Sequence, residues 1–462
     1  MEPQAGGTVL ATINGKATDS VQTTGEVVRD IVIKPWYRNY VLGLLFVGYV
    51  LNAVDRGLLG VLLEPIRHAF NASDTLLGIL NGLAFSIFYS FLGIPIAALA
   101  DRTNRRNVLA AAIALWSAMT ALCGMAVNFL MLFIGRVGTS VGEAGGSPPS
   151  HSIIADYFPP EKRGTALSVY ALAIPIGTMM ANLAGGWGNE FVGWRWTFIL
   201  NGIPGVILAL LIVMTVKELP RGHSDVRGAS GTADDTPHFM EVFKLLWKRK
   251  AFRHLSLAAG LHSLVWYAGS SFNNAFLMRS HQMTTGEAGS WVALFSGLGV
   301  IGTFLGGYLS DRLSIKTGDR RWYLWVPGIA TFAMVPFQFS SYLSSNMPIL
   351  VTSFCTMFIL ASVFFGPSFA MTQALVTVRM RAMAASVLLF VQTIVGLTLG
   401  PWLTGELSDH FKASLGSDSL GYALVITGLV NIWAAAHYFW GARTLRQDLE
   451  TTEALTKAGK HF

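Results

Sequence analysis

The sequence predicts an all-α integral membrane protein with twelve transmembrane helices in two pseudo-symmetric six-helix halves. Of the 462 residues, 52% are hydrophobic and only 13% are charged, with a mean hydropathy of +0.49. Soluble domains have about 25% charged residues, so this chain cannot cover a water-soluble core with charge. Twelve apolar segments of roughly 20 residues, each long enough to cross a bilayer, are centred near residues 50, 87, 115, 142, 174, 205, 265, 299, 331, 361, 392 and 431.

Repeated loop features indicate that the two halves arose by duplication. The pair Asp101-Arg102 follows the second segment and Asp311-Arg312 follows the eighth, 210 residues later. Arg163 opens the fifth segment and Arg381 the eleventh, 218 residues later. A shared period in two different loops favours two parallel halves.

The polar stretches divide the chain further. We expect a disordered cytoplasmic tail at 1–34 and a linker at 218–250 with an amphipathic helix on the inner leaflet. The six-helix halves then cover 35–217 and 251–445, and a cytoplasmic tail covers 446–462.

The net charge of +7 is explained by membrane topology. Twenty-seven of the 33 Lys and Arg residues fall in the tails and in the loops on one side, against four on the other. Basic residues accumulate on the cytoplasmic side of membrane proteins, so both termini are predicted to be cytoplasmic. The basic residues form no single footprint, which excludes a nucleic-acid partner. Cys123 and Cys355 lie in apolar runs and are interpreted as small buried hydrophobic residues, with no metal site.

Four ionisable residues lie within the apolar segments: Asp55 and Arg56 in the first, Arg136 and Glu143 in the fourth. Such a residue costs at least ~2.5 to 3.5 kcal/mol at a helix centre and is therefore a functional candidate. The spacing of seven places Arg136 and Glu143 on one helix face, about 10.5 Å apart. The alternative is a static buried ion pair, and it is stronger for Arg56, because Asp55 and Arg56 point about 100° apart.

The chemistry of these four residues suggests two roles. Asp55 and Glu143 are the candidates for proton coupling, because desolvation and a neighbouring arginine act on a carboxyl pKa in opposite directions. Arg136, and less clearly Arg56, is the candidate to hold an anionic head group or to serve as charge partner.

Aromatic and amide side chains in later segments could line a cavity for an acyl chain, with lipid contact or helix packing as the alternative. His262 and His437 stand alone and are expected to have packing roles. The candidate cavity residues are Phe85, Phe88, Tyr89, Trp266, Tyr267, Phe365, Phe369 and Gln392.

The loop ALADRTNRR resembles the signature of the major facilitator superfamily. Asp101, Arg102, Arg105 and Arg106 match it, whereas Ala97 and Asn104 stand where the family usually has glycine. The resemblance implies a cytoplasmic gate that is closed in the outward-facing state, with a topology signal and helix capping as the alternative. The expected gate residues are Asp101, Arg102, Arg105, Arg106, Asp311 and Arg312.

A narrower resemblance lies in NAVDRGLLGVLLEPI, GRVGTSVGEAGGSPPSHSIIADYFPPEKRG and YALAIPIG. These segments are similar to the Spinster family, whose members move sphingosine-1-phosphate, related sphingoid lipids or lysophospholipids. The resemblance implies a proton-coupled secondary transporter of amphipathic lipids that works by alternating access. It implies a proton gradient as energy source, no cofactor and no enzymatic activity. The expected partners are an amphipathic lipid and the bilayer.

We further expect a monomer in a bacterial cell inner membrane. A drug or organic-anion transporter of the same superfamily is the first alternative. A non-transporting membrane receptor or a lipid-modifying membrane enzyme is the alternative of another class.

Overall fold

The computed structural model describes residues 33–224, 239–377 and 380–457. Most of the predicted tail at 1–34, the middle of the linker and Arg379 lie outside these ranges. The described chain crosses the bundle twelve times, and seven of its helical stretches meet criteria of length and composition for a membrane span. We call the end of the bundle that holds Pro35 the tail end and the end that holds Phe70 the far end.

The N-terminal half contains spans 1 to 6. Polar caps fix the start of several of its helices: Asn104 accepts a hydrogen bond from the Asn107 N–H and Asn128 from the Met131 N–H. The helices are α1 (Pro35–Phe70), α2 (Asp74–Gly78), a π-helical turn (Ile79–Leu83), α3 (Ala84–Arg102), α4 (Arg105–Gly124), α5 (Phe129–Ala144), α6 (Ser147–Tyr157), α7 (Pro160–Ala171) and α8 (Ala173–Thr215).

Glycines interrupt two of these paths. Span 4 breaks between α5 and α6 at Gly145 and Gly146, just before two prolines. Spans 5 and 6 share α8, which reverses at Gly193, whose φ of 80° is left-handed and suits glycine. Gly142 packs so closely on span 3 that a Cβ would lie 2.6 Å from the Trp116 backbone nitrogen.

The C-terminal half contains spans 7 to 12. Its α11 begins with a capping box, in which Thr284 and Glu287 satisfy each other's backbone N–H groups. The helices are α9 (Phe239–Lys248), which precedes the half, and then α10 (Lys250–His281), α11 (Thr285–Thr317), α12 (Trp322–Leu343), α13 (Met347–Ser362), α14 (Phe365–Ala374), α15 (Arg381–Val391), a π-helical turn (Gln392–Leu397), α16 (Thr398–Leu415), a 3₁₀ turn (Gly416–Asp418), α17 (Ser419–Gly428) and α18 (Val430–Lys457).

The linker helix α9 packs on protein. Val242 and Leu246 are fully buried in a cluster with residues of α10, α15 and α18, whereas Met240 and Trp247 of the face expected in the leaflet are exposed. Phe239 also meets Phe390 of α15 edge-on at 5.8 Å. The apolar stripe therefore anchors the linker to the C-terminal half.

A loop at the tail end ties span 9 to the last helix. Asp319 accepts hydrogen bonds from Arg321, at 2.8 Å, and from Arg446 of α18, also at 2.8 Å. The Arg321 side chain lowers the pKa of Asp319 to about 2, so this anchor is ionised throughout the physiological range. The helix α18 continues to Lys457, through most of the segment expected as a tail.

The two halves meet closely from the middle of the bundle to the far end. A Cβ on Gly78 would lie 2.2 Å from the Pro401 carbonyl oxygen, and a Cβ on Gly405 2.2 Å from that of Asp74. Only glycine allows such an approach of span 2 to span 11. In the described part of the chain, the side-chain hydrogen bonds between the halves also lie between the middle of the bundle and the far end. The arrangement is therefore closed at the far end.

Candidate functional site

The charged residues of the site come from spans 1 and 4 and form two crossed pairs. In the first pair, Arg56 Nε donates to Glu143 Oε2 at 2.5 Å. The Glu143 side chain is fully buried, whereas the Arg56 side chain is 38% exposed. Arg56 therefore presents a charged surface to the space between the halves while its partner stays covered.

The second pair is incomplete. Asp55 Oδ2 accepts a hydrogen bond from Thr120 Oγ1 at 2.7 Å. The other oxygen, Oδ1, lies 3.9 Å from Arg136 Nη1, which is too long for a hydrogen bond. Within the described ranges, Asp55 Oδ1, Glu143 Oε1 and both Nε and Nη1 of Arg136 are buried without a hydrogen-bond partner.

Two aromatic rings lie under the arginines. The Arg56 guanidinium is 4.5 Å from the Tyr89 ring centre and 5.1 Å from that of Phe85. The Arg136 guanidinium is 5.6 Å from the Phe85 ring centre. Such cation–π contacts stabilise arginine away from water. Phe85 and Tyr89, expected to form a wall for an acyl chain, thus support the charged cluster.

Of the remaining predicted cavity residues, Trp266 lines a cavity between the halves and the others lie outside its lining. Phe88 of span 2 is 38% exposed. Trp266 packs edge-on against Phe358 at 5.6 Å, and Phe365 packs on Phe364 at 4.4 Å. Tyr267 is partly buried within electrostatic reach of Arg56. Two further residues complete the set: Phe369, partly buried, and Gln392, buried with Nε2 unpaired within the described chain.

The C-terminal half contributes an uncharged surface. A cavity of about 50 Å³ lies between the halves and is lined by Gly57, Asn182, Trp266, Gln338 and Phe358, among others. The middles of spans 7 to 12 hold no Asp, Glu, Lys or Arg. The space between the halves is therefore charged on one side and mixed polar and apolar on the other.

The pairing adds a detail to the expectation. We expected Asp55, Arg136 and Glu143 to come together, with Arg136 and less clearly Arg56 as charge partner. Arg56 is the direct partner of Glu143, because spans 1 and 4 cross so that neighbouring side chains on span 1 reach two partners on span 4. Thr120 was not anticipated, since a single threonine in an apolar segment has no distinctive pattern.

The expected gate residues lie at the tail end, each against its own half or the linker. Asp101 is 3.5 Å from Arg221, and Arg105 is buried against Asp156 and Glu218. Within the described chain, the gate residues form no hydrogen bond or ion pair with the opposite half. This agrees with an arrangement that is open at the tail end. The other positions are Arg102, exposed; Arg106, bonded to the Val216 carbonyl; Asp311, bonded to Tyr323; and Arg312, bonded to Tyr308.

A charged network at the far end was missed by the sequence reasoning. Arg279 of span 7 donates to Glu64 of span 1 at 2.6 Å and to both carboxylate oxygens of Asp74 of span 2 at 2.7 Å. All three side chains are at least largely buried. We call Glu64, Asp74 and Arg279 the far-end lock. Its one visible signal was that Arg279 is among the few basic residues on that side.

Span 11 strengthens the same junction. Asp409 accepts hydrogen bonds from the backbone N–H groups of Asp74 and Thr75, at 3.1 and 2.8 Å. Ser408 donates to Asp74 at 2.7 Å. An acidic residue of one half thus caps the first turn of a helix in the other.

We expect Arg279→Gln to open the far end. Without the guanidinium, the buried Asp74 carboxylate loses its charged partner, while Glu64 keeps Arg67 of its own helix. An uncompensated buried carboxylate destabilises the closed state by about 3 kcal/mol, roughly a hundredfold in population. Distances between spin labels at Val127 and Ser345, in a background without Cys123 and Cys355, should lengthen.

Arg195→Gln is the matched control, because in the described chain the Arg195 side chain contacts Ala126, Trp194 and Phe70 of its own half. Loss of Asp101 or Arg102 should produce the opposite shift, toward tail-end opening. Unchanged far-end distances in Arg279→Gln would show that the lock does not hold the halves together.

Comparison with known proteins assigns the class. The family model "Major Facilitator Superfamily" matches residues 45–315 and 255–461. An MFS-type efflux pump of Mycolicibacterium smegmatis is 32% identical over 413 residues, covering 88% of this chain and 93% of that protein. The sphingosine-1-phosphate transporter SPNS2 of Danio rerio is 27% identical, covering 84% and 81%.

A solved structure agrees with the arrangement described above. It is that of a bacterial homologue of the human lysosomal transporter Spinster, in an inward-facing and unoccupied conformation. It matches with a TM-score of 0.84 and 32% identity, covering 90% of this chain and 99% of that chain.

Fold and site together define a multi-pass membrane transporter, not an enzyme. The chain belongs to the major facilitator superfamily, and within it to the Spinster family.

Proposed function

We propose that this protein is a proton-coupled transporter of phosphate-bearing amphipathic lipids that works by alternating access. The observation that carries the proposal is the incomplete pairing of Arg136. Its Nε and Nη1 groups are buried and unbonded within the described chain, beside a carboxylate at 3.9 Å. A buried arginine with free donors suits an anionic ligand.

Proton coupling follows because the substrate phosphate and the carboxylates compete for the same two arginines. Glu143 is held by Arg56, and Asp55 is the carboxylate nearest to Arg136. A phosphate that bonds to either arginine replaces its carboxylate partner, and a buried carboxylate without a partner binds a proton more readily. Binding of the anion and uptake of the proton are thereby linked at one site.

The lipid part of the proposal rests on the asymmetry between the halves. The charged groups come from spans 1 and 4, whereas Trp266, Phe358 and Met357 line the opposite side. An amphipathic molecule would place its head group on the N-terminal half and its chain against the C-terminal half. The Danio rerio relative is a sphingosine-1-phosphate transporter, which supports this class of substrate.

Alternating access also requires that one end of the bundle is closed while the other is open, and the far-end lock closes the far end. With the lock closed, the site is open toward the tail end, which we assign to the cytoplasm from the basic loops. We further propose a monomer in a bacterial inner membrane with both termini cytoplasmic, no cofactor, and a proton gradient as energy source.

Drug efflux is the second candidate. The Mycolicibacterium smegmatis relative is named an efflux pump and is similar over most of its length. A drug that is cationic or neutral would use the aromatic surface without engaging Arg136.

Uptake into proteoliposomes separates these functions. We expect the purified protein to accelerate movement of a lysophospholipid or sphingosine-1-phosphate, and a pH gradient to accelerate it further. A sugar and a cationic dye serve as comparison substrates. Transport of the dye alone would favour drug efflux, and lipid movement that is indifferent to the gradient would remove proton coupling from the proposal.

A further inference from the structure

Two histidines of spans 7 and 12 meet where α10 packs against α18 at the tail end, and we call the surface along this contact the groove. His254 Nδ1 lies 2.9 Å from His437 Nδ1. Gly441 makes this possible, because a Cβ at that position would lie 3.1 Å from the Cβ of His254. His437, expected to stand alone, therefore has a partner that is distant in sequence and outside the transport site.

Two tryptophans flank the histidine pair on the outer surface. The Trp440 ring centre is 5.2 Å from His437 and 6.0 Å from His254, and the Trp433 ring centre is 5.8 Å from His437. The tryptophans are 43% and 56% exposed. Tryptophan is enriched where a membrane meets water, so their positions mark the groove as part of that boundary.

Two exposed arginines belong to the same two helices. Arg253 precedes His254 on α10 and Arg443 follows His437 by six residues on α18, and neither side chain has a hydrogen bond or ion pair with another described residue. Of the nearby acidic groups, Asp319 is neutralised by Arg321 and Arg446, and Asp448 accepts from the Ala251 N–H at 2.7 Å at the start of α10. The protein therefore leaves a cationic surface at this boundary.

We propose that this groove binds the head group of an anionic phospholipid of the tail-end leaflet. The arginines hold the phosphate through paired N–H donors, the histidine pair lies beneath it, and an acyl chain follows the surface of Trp433 into the bilayer. Clustered basic residues at a membrane surface attract anionic lipids. We call the site the lipid groove, formed by Arg253, His254, Trp433, His437, Trp440 and Arg443.

The site is independent of the transported substrate. It lies on the outer surface of spans 7 and 12, whereas Arg56 and Arg136 face the space between the halves. A bound lipid would bridge the start of the C-terminal half to its last helix. Binding of a lipid can be distinguished from binding of a free phosphate, because only a lipid has an acyl chain that contacts Trp433.

Thermal unfolding of the full chain tests the proposal. In phosphatidylcholine micelles, added phosphatidylglycerol should raise the melting temperature of the wild type, and Arg253→Gln with Arg443→Gln should lose more than half of that shift. Lys316→Gln with Arg320→Gln is the control, since it removes the same charge from exposed tail-end positions elsewhere. The control should retain the full shift.

Fluorescence provides a second measurement that does not depend on melting. Phosphatidylglycerol with brominated chains should quench the wild type, and Trp433→Phe should lose part of that quenching. Trp36→Phe is the comparison variant for the loss of quenching, because Trp36 is an exposed tryptophan outside the lipid groove, 66% exposed at the start of α1. Three results would overturn the lipid groove: an undiminished shift in the arginine variant, an equal shift with phosphatidylcholine, or the full shift with inorganic phosphate.

Discussion

Glu143→Gln should abolish the acceleration of transport by a pH gradient, leaving the rate seen without one. The amide preserves the size of the side chain and can still accept from Arg56 Nε, where the carboxylate now accepts at 2.5 Å. It cannot take up a proton, so binding of an anion at Arg56 no longer releases a proton-accepting group. Initial rates in proteoliposomes, with and without an imposed gradient, measure the effect.

Asp55→Asn should have the same consequence through the second pair. The amide oxygen of the variant can take the place of Asp55 Oδ2, which now accepts from Thr120 Oγ1 at 2.7 Å, so this hydrogen bond can be kept. Exchange of substrate without net proton movement should survive better than gradient-driven uptake in both variants. Glu161→Gln, a change at an exposed carboxylate of the same half, should leave both activities intact. Unaltered gradient-driven uptake in both site variants would contradict the assignment of coupling to these carboxylates.

The spans were predictable because each is marked by composition. An apolar segment of about 20 residues identifies a crossing in any orientation, and the repeated Asp-Arg pairs revealed the two halves. The break at Gly145 was also visible as a glycine-rich stretch before Pro148. The π-helical turns at Ile79–Leu83 and Gln392–Leu397 were not predictable. They lie where spans 2 and 11 pack, and their form depends on that contact.

The sequence allowed the charged residues of the candidate site to be selected, but not their pairing. A charge in an apolar segment is conspicuous, so Asp55, Arg136 and Glu143 could be selected from sequence alone. Which carboxylate pairs with which arginine depends on how spans 1 and 4 cross, and helical spacing within one span carries no such information. The far-end lock was missed for a related reason. Glu64 and Asp74 lie near helix ends, where charged residues are common, and only their junction with Arg279 makes them distinctive.

Arg136→Lys should weaken binding of a phosphate-bearing lipid more than binding of a neutral analogue of the same chain length. Lysine retains the positive charge near Asp55 but has no planar pair of donors. In the wild type, Nε and Nη1 of Arg136 are the buried donors without a partner in the described chain. Replacing the planar guanidinium removes donors that can serve two phosphate oxygens at once, whereas a neutral head group does not need them. Equilibrium binding to the detergent-purified protein measures both ligands.

The size of the difference follows from the bonds lost. A hydrogen bond between charged groups contributes about 1.5–3 kcal/mol, so loss of one such bond should reduce affinity for the phosphate lipid by roughly ten- to a hundredfold. Affinity for the neutral analogue should change much less. Arg195→Lys, at an exposed far-end arginine, should alter neither affinity. If Arg136→Lys reduces binding of both ligands equally, the arginine positions spans 1 and 4 through Asp55 and does not read the head group.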